Sequence, residues 1–171
     1  MSDIGVEEEP LLRLQRAHRR CRRCVEQGWI PLAQPVFSGS PGQRILLVGQ
    51  APGLMERDVH RPFAGRAGRH LMRWFVRAGF ESEEEVRRRV YMTSMTTCFP
   101  GRNPSGGGDR RPSQREVALC SPWLDSVLTL LRPRLILPLG TLALARFLPG
   151  CTLDSAVGSA FSLAGAPVEG T

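Results

Sequence analysis

Apolar and polar positions alternate between two periods along this chain. Residues 45–48 (Ile-Leu-Leu-Val), 90–95 (Val-Tyr-Met-Thr-Ser-Met) and 134–140 (Arg-Leu-Ile-Leu-Pro-Leu-Gly) are short apolar runs bounded by turn residues, the pattern of buried strands. The stretches between them have helical spacing. Residues 7–24 carry Leu11, Leu12 and Leu14 on an apolar side and arginines on the other. In residues 70–79, Leu71, Met72, Phe75 and Val76 share a face opposite Arg69, Arg73 and Arg77. Residues 81–89 read as a short, solvated helix. Ser113 and Glu116 form a capping box opening a helix to about Leu131, and Thr141 can cap another that ends near Leu148. Residues 28–43 are loop-like, with a short edge strand at residues 36–38. Strands alternating with helices predict an α/β fold, a parallel sheet covered on both faces. The turns after Val48, Met95 and Leu139 then share one sheet edge.

The stretch from Arg44 to Gly68, RILLVGQAPGLMERDVHRPFAGRAG, organises the rest. Its first strand ends in Gly49-Gln50-Ala51-Pro52-Gly53, a turn at the carboxyl end of a strand, where open α/β sheets bind ligands. Arg61-Pro62-Phe63 and the glycine-flanked helix start at Gly65-Arg66-Ala67-Gly68 follow. Together they suit a pocket for a flat group with an anion nearby. The same residues also serve an ordinary strand-to-helix connection. The turn is neither G-x-G-x-x-G nor a Walker A loop, which needs a lysine this chain lacks.

The length of 171 residues suits one domain with a sizeable core, and 42% hydrophobic residues exclude a disordered chain. No apolar stretch reaches membrane-spanning length, and the acidic start MSDIGVEEEP is no secretory signal, so a cytoplasmic location is expected. The net charge is +7 and all 23 basic residues are arginine. Arginine pairs bidentately with phosphate and stacks on bases, so the excess charge points to nucleic acid. A GC-rich genome explains the absence of lysine equally well, but not the positive excess.

Cys21 and Cys24 form a C-x-x-C within the arginine run at residues 19, 20, 22 and 23; Cys98 follows the second strand and Cys120 lies on the next helix. With no export signal, such cysteines favour metal over disulfides. Four thiolates suit zinc or a cubane iron–sulfur cluster, and one C-x-x-C does not separate them. Cys151 reads as a small buried apolar residue.

GQAPG, RPFAGRAG, YMTSMTTCFPG, PSQREVALCSPWL and RPRLILPLGTLAL occur in an order that resembles the iron–sulfur, family 4 uracil-DNA glycosylases over roughly residues 10–150. The resemblance implies a three-layer α/β/α fold with a mostly parallel sheet of about four strands. It implies a 4Fe–4S cluster on Cys21, Cys24, Cys98 and Cys120, and excision of uracil from DNA; the chain is expected to act as a monomer. Phe63 would stack on the flipped base, Gly49, Gln50 and Ala51 would read the pyrimidine edge and position water, and Ser94 would bond the base. Arg61, Arg66 and Arg69 would meet the DNA backbone. Flipping is required because a stacked base is out of reach, and fixed donors must stabilise charge on the departing base.

Three departures accompany the resemblance. Gln50 stands where the family has a glutamate, leaving Glu56 and Asp58 as the nearby acids, with Glu56 a candidate to orient water. Ser94 replaces an asparagine, so a bidentate amide contact is lost. The histidines are His18, His60 and His70, and no His-Pro-Ser loop follows Leu148. The expectation is one domain over residues 1–171 that lacks the family's last strand and that loop. The rival readings are an iron–sulfur module that binds nucleic acid without turnover, a glycosylase for another deaminated base, and a zinc-holding interaction protein.

Overall fold

A computed structural model of the chain describes residues 9–162. Helices α1 (Pro10–Arg19) and α2 (Arg23–Glu26) precede strand β1 (Ile45–Gly49). Then come α3 (Leu54–Val59), α4 (Arg66–Arg77), α5 (Glu83–Arg89) and β2 (Val90–Ser94). The long α6 (Gln114–Leu131), β3 (Leu135–Pro138), α7 (Thr141–Phe147) and α8 (Leu153–Ala156) complete the order.

The strand order is β2-β1-β3, and both pairings are parallel. Gly49 pairs in register with Ser94, and Val48 with Pro138, so the three strands end together. Side chains alternate between the faces of such a sheet. Leu46, Val48 and Tyr91 join a core with residues of α1, α6 and α7, whereas Leu47, Val90 and Met92 pack against residues of α4 and α5. The result is a three-layer α/β/α fold.

The sheet has three strands among the described residues, not about four; the weakly patterned stretch after Cys151 contributes α8 instead, and residues 163–171 of it lie outside the described part. The expected helix over residues 7–24 is broken. The amides of Arg20 and Cys21 bond back to the carbonyls of Ala17 and His18, which tightens the end of α1, and a separate turn of helix carries Cys24. Residues 36–38 contribute one antiparallel bridge, Ser38 to Met92, rather than a strand. Gly140, at φ 82°, takes the N-cap place expected of Thr141, because the chain enters α7 through a left-handed backbone that favours glycine. Val76 is 47% exposed and does not share the apolar face of α4; at the helical repeat it falls about 100° from Phe75. The Ser113–Glu116 capping box is present.

His18 is buried between the rings of Phe37 and Trp123, with centroids 4.7 and 4.4 Å away, and its Nε2 lies 2.9 Å from the Thr97 hydroxyl. Burial first, and then the charges of Arg19 and Arg23, push its pKa down to about 3. The unfolded chain takes up this proton near the ordinary value of about 6.5, and the folded chain only near 3. Stability is therefore expected to hold above about pH 6.5 and to fall steadily as the pH drops toward 3. Urea midpoints across that range check this, and His18→Phe is expected to flatten the decline.

Candidate active site

Parallel register brings the ends of β1 and β2 side by side, and the turn after β1 is pinned there. The amide of Met95 donates to Gly49 O at 2.9 Å, and that of Thr96 to Gln50 O at 3.3 Å. Gly49 is buried and Gln50 exposed. Phe63 folds back over this turn. A Cβ on Gly49 would lie 3.1 Å from Phe63 Cζ and 3.4 Å from Ser94 Oγ, so an aromatic edge, a bare backbone and a hydroxyl meet at one point. Sequence spacing places these residues 14 and 31 positions from Phe63; the register supplies the Gly49–Ser94 pairing, and the loop between α3 and α4 brings Phe63 to it.

Phe63 has φ 55°, uncommon for a large side chain, and two contacts hold it. Its carbonyl is closed against Gly68, where a Cβ would stand 1.8 Å from Phe63 O. The preceding Pro62 O accepts from Arg87 at 3.1 Å, and Arg87 pairs with Glu83, which also pairs with Arg61. Gly68, which looks like a helix-start residue in the sequence, is thus a packing requirement for the pocket.

Glu56 joins the two motifs. Its Oε2 accepts the Gly53 amide at 3.1 Å and its Oε1 the Gly65 amide at 2.8 Å. A Cβ on either glycine would fall within 2.8 Å of those oxygens. The carboxylate thus ties the GQAPG turn to the start of α4. Glu56→Gln keeps one acceptor and turns an N–H donor toward the other amide. It is expected to cost about 1–2 kcal/mol of stability, read from urea denaturation. Asp58 is paired with Arg57 at 2.7 Å. His60 lies exposed at the end of α3, and His70, on α4, contacts Arg73. Gln50 and Ala51 are at the turn itself, with no carboxylate between them.

Residues 101–112, the glycine-rich insert, form a small hairpin through an Arg102–Asp109 bridge. Asp109 accepts from the Leu54 amide at 3.4 Å, so the insert leans on the start of α3 beside the pocket turn.

The four cysteines expected to act together line one cavity, with Thr96, Thr97 and Glu116 in its wall. Cys21 comes from the α1–α2 break, Cys24 from α2, Cys98 from the segment after β2, and Cys120 from α6. Burial, followed by the proximity of Cys120, Glu116 and Cys21, pushes the Cys24 thiol up to about 11. Burial and the other three cysteines push Cys98 up to about 12, and burial also raises Cys120. Thiols crowded this way lose their protons to solvent readily only when a bound cation takes up the thiolate charge, and the donor chemistry fits a thiolate-bound metal group. Among the described residues no three His, Cys, Asp or Glu side chains stand close enough to ligate an ion as placed, so binding requires the thiols to draw together. Cys151 lies apart from this cavity. Glu116, read in the sequence as a cap, also holds Arg110 through two bonds of 2.6 and 2.7 Å; the arginine beside it keeps its carboxyl below the usual range.

A glycine, an aromatic ring and a hydroxyl thus meet at the edge of a parallel α/β sheet, in a chain that also carries a four-cysteine cavity. The family model described as the uracil DNA glycosylase superfamily matches residues 36–168, and the chain belongs to that superfamily. The chain is 32% identical over 136 residues to a type-4 uracil-DNA glycosylase of Pyrobaculum aerophilum, covering 76% of this chain and 62% of that protein. A type-4 enzyme of Sulfurisphaera tokodaii is 33% identical over 121 residues, 70% of this chain and 50% of the relative. A type-5 enzyme of Thermus thermophilus is 34% identical over 127 residues, 68% and 55% respectively. The chain thus spans between half and about three fifths of the curated relatives it matches. No helix among the described residues is long and apolar enough to cross a membrane.

Proposed function

We propose that this chain is a DNA repair glycosylase that accepts a flipped uracil and hydrolyses its N-glycosidic bond. The observation that carries the reading is the meeting of Gly49, Phe63 and Ser94 at the sheet edge, in a chain of this superfamily. Phe63 stacks on the base, Gly49 lets the base approach the backbone, and the Ser94 hydroxyl bonds one polar atom of its edge. The C1′–N1 bond breaks with its electron pair on the base. Water adds to C1′, and the proton it loses passes to solvent. Backbone amides of Gln50 and Ala51 stabilise the charge that develops on the base, and the Gln50 side chain orients the water as a hydrogen-bonding amide. Glu56 acts by holding Gly53 and Gly65, the catalytic role for it being that of a positioning residue. Arg61, Arg66 and Arg69, all exposed, meet the DNA backbone.

Cys21, Cys24, Cys98 and Cys120 would hold a 4Fe–4S cluster, with zinc the alternative. When bound, the group supplies a cross-link between the N-terminal helices, the segment after β2, and α6. A brown protein with broad absorption near 400 nm is expected, where a zinc protein is colourless.

The test is alkali-sensitive strand cleavage at a single uracil in an oligonucleotide, by protein purified without oxygen. A second reading, binding without turnover, is favoured by one set of observations. Neither Gln50 nor Ala51 is acidic, the Glu56 carboxylate is engaged by two amides, and His18 is buried elsewhere. It requires tight, salt-sensitive binding of the same oligonucleotide with the strand left intact. Phe63→Ala is expected to weaken excision by roughly ten- to a hundredfold, the worth of one stacked base, while retaining the metal group. Single-turnover rates and absorbance check both parts.

A further inference from the structure

Helix α4 leaves the pocket at Gly65 and carries an unusual outer surface. Gly68, Leu71, Met72 and Phe75 face the core. Arg66, Arg69, His70, Arg73, Trp74 and Arg77 fall at i, i+3, i+4, i+7, i+8 and i+11, one continuous stripe on the opposite side. Every member of the stripe is exposed, and Trp74, at 60%, is the more exposed of the large apolar residues on α4. No acidic residue occurs in α4. Elsewhere arginines find carboxylates: Arg57, Arg61, Arg87, Arg89, Arg102, Arg110 and Arg146 are all ion-paired. The four of the stripe have no such pair among the described residues, and Arg73 contacts only His70.

We propose that this face of α4 is a binding track for single-stranded DNA, with Trp74 as a platform for an unpaired base. Four unneutralised arginines on one side of a helix complement a phosphodiester chain, and an exposed indole among them matches the way sequence-tolerant single-strand sites combine charge with stacking. A lipid surface fits less well, because the apolar face of α4 is already committed to the core and is not available to insert. A duplex offers phosphates but no free base face for the indole. Trp74 lies eight residues beyond Arg66, about 12 Å along the helix axis from the pocket. The track therefore engages nucleotides flanking the one in the pocket. The inference rests on the glycosylase reading only for that placement.

The test separates the two. Binding of a uracil-free thymidine oligonucleotide about twelve nucleotides long is followed by fluorescence anisotropy, with no excision involved. Trp74→Ala is expected to weaken it about tenfold. The double variant Arg73→Gln, Arg77→Gln is expected to lower the slope of log affinity against log salt by about 1.4. Unchanged thermal midpoints show that both variants fold. Wild-type affinity and slope in the two variants would overturn the proposal. So would equal losses on single strands and duplex, which would leave the indole no stacking role, or loss of binding to anionic vesicles with oligonucleotide binding intact. Failure of the wild type to release uracil would count against the glycosylase reading and leave these outcomes unaffected.

Discussion

Gly68→Ala is expected to lower the thermal midpoint by about 10 °C and to abolish measurable uracil excision, although residue 68 touches no substrate in the proposed pocket. An added Cβ would stand 1.8 Å from the Phe63 carbonyl oxygen. That neighbour is backbone, so no rotamer change relieves it; either α4 moves away or residues 62–63 do. Overpacking of this kind costs on the order of 3 kcal/mol, and a domain of this size loses about 2–4 °C per kcal/mol. The loss of excision has a separate cause. Phe63 is held at φ 55° between Gly68 and the Arg87–Pro62 bond, and its ring edge defines the pocket against Gly49. A shift of about 1 Å would be enough to misplace a base stacked on Phe63 as proposed. Differential scanning calorimetry and single-turnover excision on the same preparation check the two effects. A variant that melts like the wild type would show that the α4 start is more compliant than the contact implies.

Cys98→Ser is expected to give colourless, aggregation-prone protein with less than one cluster per chain. The four thiols come from three segments that are otherwise linked by few bonds: α2 meets α6 chiefly through Arg23, whose guanidinium lies over the Trp123 ring and 3.4 Å from Leu119 O. The proposed metal group would therefore be a main tie between the C-x-x-C and the rest, and its binding energy would be folding energy. Serine keeps the volume but not the soft thiolate that iron prefers. Iron and sulfide content, with the absorbance near 400 nm, read the result. Full loading in Cys98→Ser would remove Cys98 from the ligand set.

The three strands, their common edge and the grouping of Cys21, Cys24, Cys98 and Cys120 were legible in the sequence. Apolar runs of β-formers ended by turn residues leave little choice of element, and alternation with helices leaves little choice of topology. Other features were not legible because they depend on contacts between distant residues. Glu56 lies three residues from Gly53 and nine from Gly65, and only the folded turn shows that one carboxylate serves both. The break between α1 and α2 runs against a continuous helical pattern, and it is what brings Cys21 and Cys24 to the shared cavity. Val76 belongs on the apolar face by its chemistry, whereas the helical repeat carries it outward toward the arginine stripe. The same stripe explains why Trp74, an apolar residue inside a helix, faces solvent.

Ser94 bears on the choice of base. It sits opposite Gly49 in register and offers one hydroxyl that either donates or accepts. In the proposed site, a single contact of this kind would reject wrong bases less sharply than a bidentate amide.

Free-base release from one oligonucleotide set tests the central claim most directly. Single-stranded substrates carrying uracil, hypoxanthine, xanthine or thymine are mixed and incubated with protein purified without oxygen, and the released bases are identified by mass spectrometry. The account predicts uracil released well ahead of the others, and none of it released by Gly68→Ala. Tight binding with no base released, or hypoxanthine released in preference to uracil, would contradict it.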